Sequence, residues 1–110
     1  MWYLYDMKGD RLGEFEELTL LAVRVLRPET YAVPIRQYVE NATNRRIALG
    51  AVYAALGRLE SKGFVRSAMG PAIARRGGKA KRLYEVTALG YLTARELHLV
   101  RERIWRDIGV

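Results

Sequence analysis

Apolar residues recur at helical spacing in four stretches of the chain and mark two short strands between the third and the fourth. Leu49, Val52, Leu56 and Leu59 follow the +3, +4, +3 rhythm of one helical face, and Gly63 closes the stretch as a helix C-terminus requires. Gly50, Ala51, Ala54 and Arg58 fall on the opposite side. That side is bare. A solvated helix face ordinarily carries Glu, Lys and Gln, whereas small residues suit the close approach of another surface, either a second layer of the same protein or an external ligand.

Three further helices are predicted. Glu14 to Leu26 has acids in its first turn and Arg24 and Arg27 at its end, with Phe15, Leu18, Ala22 and Val25 on one face. Leu20, Leu21 and Leu26 widen that stripe until the helix must pack on two sides, within a monomer or against a partner subunit. Thr30 is placed to cap a helix from Tyr31 to Ala42, where Pro34 falls in the tolerant first turn and Ile35, Tyr38 and Val39 point inward. The last helix runs from Ala88 to about Ile108 with Thr87 as N-cap and Gly90 as a weak early position.

Between the third and fourth helices, residues 64–69 and 82–86 read as two strands around an irregular loop. The run Arg75-Arg76-Gly77-Gly78-Lys79-Ala80-Lys81-Arg82 holds five cations and no acid. The order helix, turn, helix, strand, basic loop, strand predicts a mainly α chain with a small β-hairpin wing: a winged helix-turn-helix. That motif can place its second helix in a major groove and its wing on the adjoining backbone. Arg45 and Arg46, in the turn, stand where phosphates would pass.

Charge sharpens this reading. The chain of 110 residues has a net charge of +7, but residues 45–82 alone hold ten Lys/Arg against the single acid Glu60, a local +9. The rest carries a slight negative balance. A charge run is usually a solvated face; here it coincides with a hairpin tip and a bare helix, which is the footprint of a polyanion ligand. There is no cysteine and only one histidine, His98, so thiolate chemistry and a histidine metal cluster are excluded and no cofactor is expected. Neither a nucleophile–base pair nor a phosphate loop suggests an enzyme. Met1-Trp2-Tyr3-Leu4-Tyr5 is too short for a signal or a membrane span, so a cytoplasmic protein of one domain is expected. Its parts are residues 12–86 (helices and wing), residues 87–109 (a dimerisation helix) and an extra segment at 1–11.

The fourth helix carries the evidence for assembly. Leu97, Val100, Ile104 and Ile108 form one stripe that continues back to Leu89, and Leu92, Leu99 and Trp105 broaden it. A helix of this length reaches about 30 Å, more than a small winged domain needs. It either crosses to a partner subunit, setting two recognition helices about one DNA turn apart on an inverted repeat, or folds back on its own core.

The segments Leu12-Gly13-Glu14-Phe15-Glu16-Glu17-Leu18, Gly50 to Val65 and Arg76 to Thr87, with Gly90, together resemble the PadR family of bacterial winged-helix transcriptional regulators, in its short subgroup with one C-terminal helix. The resemblance covers about residues 12–108. Its pairing of a "VY..L.RLE..G.V" helix with an "RGG.AKR.Y..T..G" wing is fairly specific, although each piece alone is weak. It implies a homodimeric repressor on double-stranded promoter DNA. Tyr53 would lie near the DNA, Arg76, Gly77, Gly78, Lys79 and Lys81 would form the wing, and the C-terminal helix would cross between subunits. Some relatives bind flat aromatic compounds between interfacial tryptophans, which makes Trp105 the candidate effector residue, with simple packing as its alternative. Ala32 and Pro34 depart from the family pattern, and residues 1–11 have no counterpart. A different class of function, a protein-interaction winged domain whose basic loop meets an acidic partner, shares the fold.

Overall fold

The computed structural model describes residues 12–71 and 80–109. Residues 1–11, with Trp2, Tyr3 and Tyr5, lie outside that range, as do Arg75, Arg76, Gly77, Gly78 and Lys79 of the expected wing tip. Among the described residues the elements run α1 (Glu14–Val25), α2 (Ala32–Thr43), α3 (Leu49–Ser61), β1 (Val65–Met69), β2 (Arg82–Val86) and α4 (Ala88–Ile108).

The first three helices close around one core. Leu20 and Val23 of α1, Ile35 and Val39 of α2, and Val52, Leu56 and Leu59 of α3 are almost fully buried, and Phe64, Val65 and Tyr84 extend the core under the hairpin. In α1 the inward face differs from the expected one. Thr19, Leu20, Ala22 and Val23 are buried, Phe15 and Leu18 only half so, and Val25 is 49% exposed. The seven apolar residues of α1, Phe15, Leu18, Leu20, Leu21, Ala22, Val23 and Val25, spread over more than one side of the helix, so periodicity alone does not choose among the stripes. Tyr38 likewise faces outward, at 40% exposure, rather than into the core.

The helix ends follow local chemistry. At the end of α2, Asn44 takes a left-handed conformation (φ 56°), and Glu40 Oε2 accepts the Ile47 N–H at 2.8 Å across the turn. Gly63, with φ 80°, ends α3: its N–H bonds Glu60 O and the Phe64 N–H bonds Leu59 O, a Schellman motif that satisfies the last carbonyls.

β1 and β2 pair antiparallel from Val65↔Val86 to Met69↔Arg82. Thr30 does not cap α2. Tyr31 occupies the cap position, and Thr30 exchanges two backbone bonds with Tyr84, giving the hairpin a one-residue third strand. Thr87 Oγ1 does cap α4, accepting the Gly90 N–H at 3.0 Å. Only the start of α4 is embedded, through Gly90, Thr93 and Ala94, and every residue from Arg101 to Ile108 is exposed. The distal helix therefore does not fold back on its own core.

Candidate nucleic-acid interface

The outward face of α3 consists of Gly50, Ala51, Tyr53, Ala54, Gly57 and Arg58, all exposed, while Val52, Ala55, Leu56 and Leu59 face the core. No second layer of the described protein covers the small residues. A Cβ added at Gly50 or at Gly57 would meet nothing within 4 Å. Glycine within a helix costs about 0.5–1 kcal/mol relative to alanine, so two on this face weaken the helix without serving the fold.

Two polar networks border the face. Along the α1 edge, Arg58 Nε donates to Glu16 Oε2 at 2.6 Å and Lys62 Nζ donates to Glu16 Oε1 at 2.6 Å. Gly13 N–H also donates to Oε1, at 3.3 Å. Burial alone would raise the Glu16 pKa, but the hydrogen bonds from Lys62, Arg58 and Gly13 outweigh it and hold the carboxyl below its ordinary value. Arg58, on the bare face of α3, is thereby tied to α1 by the Nε edge of its guanidinium. On the wing edge, Ser67 Oγ donates to Glu60 Oε2 at 2.8 Å and accepts from Arg82 Nη1 at 2.9 Å. Tyr53, 51% exposed, stands seven residues before Glu60 and so shares its side of α3.

The turn before α3 supplies further cations. Arg45 and Arg46 are exposed on the rim of an open basin of about 650 Å³ that also takes in Arg36 and Glu40 of α2. Arg36 was not singled out by the sequence, yet its Nε is buried without a hydrogen-bond partner among the described residues. Its +4 spacing to Glu40 and on to Asn44 was the available signal. Lys81 is drawn inward: it is half-buried, with Nζ 5.3 Å from the Tyr31 ring centroid.

On α4, Leu89, Leu92, Ile104, Trp105 and Ile108 are exposed, whereas Leu97 and Val100 are half-buried. Leu21 and Val25 of α1 are exposed as well. An apolar groove of about 240 Å³ runs between α1 and α4, where the Arg24 guanidinium lies 4.5 Å from the Tyr91 ring centroid. Arg101 and Glu17 tie the two helices together at 3.0 Å. Trp105 lies outside this groove. No helix among the described residues is long and apolar enough to cross a membrane.

Three packed helices, the last bare on its outer face, a hairpin wing and a projecting fourth helix define a winged helix-turn-helix protein of the DNA-binding transcription-regulator class. Residues 20–96 match the family model described as the transcriptional regulator PadR-like family. The chain belongs to that family.

Solved structures share the fold. A PadR-like transcription factor from Bacteroides fragilis is 18% identical, with a TM-score of 0.73 over 86% of each chain. A PadR family regulator from Eggerthella lenta is 22% identical, with a TM-score of 0.67 over 87% of this chain and 83% of that one. Bacillus subtilis PadR in complex with operator DNA is 17% identical, with a TM-score of 0.63 over 76% of this chain and 46% of that one. A search of curated protein sequences finds no match.

Proposed function

We propose that the chain is a sequence-specific double-stranded DNA-binding regulator, acting as a dimeric repressor that a small-molecule effector relieves. The observation that carries this reading is the uncovered Gly50/Ala51/Ala54/Gly57 face of α3, flanked by Arg45 and Arg46. Small residues let the helix backbone approach base edges, while the cations hold phosphates. Tyr53 and Arg58 are the side chains long enough to read sequence directly. Arg75, Arg76 and Lys79 of the wing, with Gly77 and Gly78 at its turn, supply affinity for the backbone rather than discrimination.

The dimer rests on the apolar stripe of α4, which supports pairing with a second copy through Leu89, Leu92, Leu97, Val100, Ile104, Trp105 and Ile108. Two copies would address the halves of a promoter inverted repeat. A flat aromatic effector held beside Trp105 would alter the angle between them, and its effect on DNA affinity would be the coupling free energy of the two sites.

Fluorescence anisotropy against duplexes tiled from the DNA upstream of the gene, with a scrambled control, tests the reading. One tile should bind tightly and saturably at physiological salt, with log affinity falling steeply in log salt. Equal, weak binding of every duplex would point instead to a protein-interaction domain with a polyanion patch.

A further inference from the structure

Glu16 is out of place as a solvated helix residue. It is 7% exposed, and its carboxylate is engaged at both oxygens by cations more than forty positions away, Arg58 on Oε2 and Lys62 on Oε1. The sequence alone assigns it only to the acidic first turn of α1. We infer that Glu16 is a positioning residue for DNA reading: it fixes Arg58 along the edge of α3 and lowers indiscriminate phosphate affinity in favour of base discrimination. The inference rests on the DNA-binding reading above and deepens it.

The argument is geometric and electrostatic. Arg58 lies four residues beyond Ala54 and seven beyond Ala51, on one ridge of the bare face. An arginine free on a flexible stem binds any phosphate within reach, and such contacts carry no sequence information. Reading a guanine requires the guanidinium to be held in one plane. The bond from Nε supplies that restraint and leaves the terminal Nη groups for a paired contact. Lys62 fixes the second carboxylate oxygen, and the Gly13 N–H anchors Glu16 from its own helix end. The carboxylate also takes one unit of positive charge away from the face. Without it the same helix would hold phosphates more strongly and orient its arginine less well.

The test compares the wild-type protein with E16Q, R58A and the E16Q/R58A double variant. Each is titrated by anisotropy, over a range of salt, against the duplex the wild type selects from a random pool and against a scramble. E16Q should bind the scramble several-fold tighter, with a salt slope steeper by about one contact, while discrimination falls about tenfold. In the R58A background, E16Q should leave discrimination unchanged. Glu16→Asp keeps the charge but shortens the reach to Arg58, so it should lose discrimination with little change in affinity for the scramble; it reads the same claim should E16Q fold poorly.

Unchanged discrimination in E16Q, or equal weakening on both duplexes with a lower melting temperature, would overturn the inference and leave Glu16 a stability residue. A wild type that selects no duplex from the pool would overturn the DNA-reading function itself, and that result is read before any variant is made.

Discussion

A Cβ placed on Gly90 would stand 2.1 Å from the Phe64 carbonyl oxygen, so the start of α4 lies directly against the backbone that leaves α3. The same carbonyl accepts the Thr87 N–H at 3.0 Å, and Thr87 Oγ1 donates to Gly63 O at 2.7 Å. This joint sets the direction in which the fourth helix departs from the wing. Glycine is required there by close approach rather than by an unusual φ.

Gly90→Ala is therefore expected to destabilise the fold by about 1–3 kcal/mol, because the obstructing atom is main chain and cannot swing aside. Urea unfolding followed by circular dichroism measures the loss. A midpoint equal to the wild type's would mean that the joint has room which its geometry denies.

Gly57→Ala should act in the opposite direction. Its Cβ enters open space at a helical position, so reduced freedom of the unfolded chain should raise stability by about 0.4–1 kcal/mol. The same unfolding experiment checks it, and a fall in midpoint would show that the outer face of α3 is covered.

The comparison of these two glycines shows what was legible in the sequence. Helix α4 was readable to both ends, because Thr87 supplies a cap and the apolar spacing continues to Ile108. Helix α3 and both strands followed from periodicity and Gly63. Gly90 looked like a weak helix residue, since the carbonyl that demands it belongs to Phe64, in another element. Thr30 had the chemistry of a cap but was taken by Tyr84, and Val25 and Tyr38 lay on stripes that the tertiary packing turned outward. At the candidate interface, Arg58 was readable as an exposed cation. Its bond to Glu16 was not, because forty-two positions separate them and no periodicity links the two helices.

Glu16 should make stability sensitive to acid. Its folded-state pKa is held below the ordinary carboxyl value, so the unfolded chain takes up the proton first. The contribution is present above the unfolded pKa and is lost as pH falls through the lower folded value. Melting temperatures should drop more steeply below about pH 4.5 for the wild type than for Glu16→Gln. Parallel curves would show that the ion pairs contribute nothing to the folded state.

The proposed pairing uses the far end of α4, where Ile104, Trp105 and Ile108 are 54%, 58% and 60% exposed. Replacing Ile104 and Ile108 with serine should convert a dimer into a monomer in light scattering, leaving the helix-turn-helix core folded. DNA affinity should then fall steeply as the two half-sites lose their linkage. A wild type that already scatters as a monomer would refute the proposed pairing.

The central claim is that the bare face of α3 lies within van der Waals reach of DNA. Gly50→Leu tests it most directly, since the space beside Gly50 is open in the protein and the substitution meets nothing at its Cβ. Anisotropy on the preferred duplex at physiological salt should show affinity reduced roughly a hundredfold, the equivalent of about 3 kcal/mol, with the melting temperature preserved. Wild-type affinity in that variant would contradict the account, because a helix that tolerates leucine on its outer face is not seated in a groove.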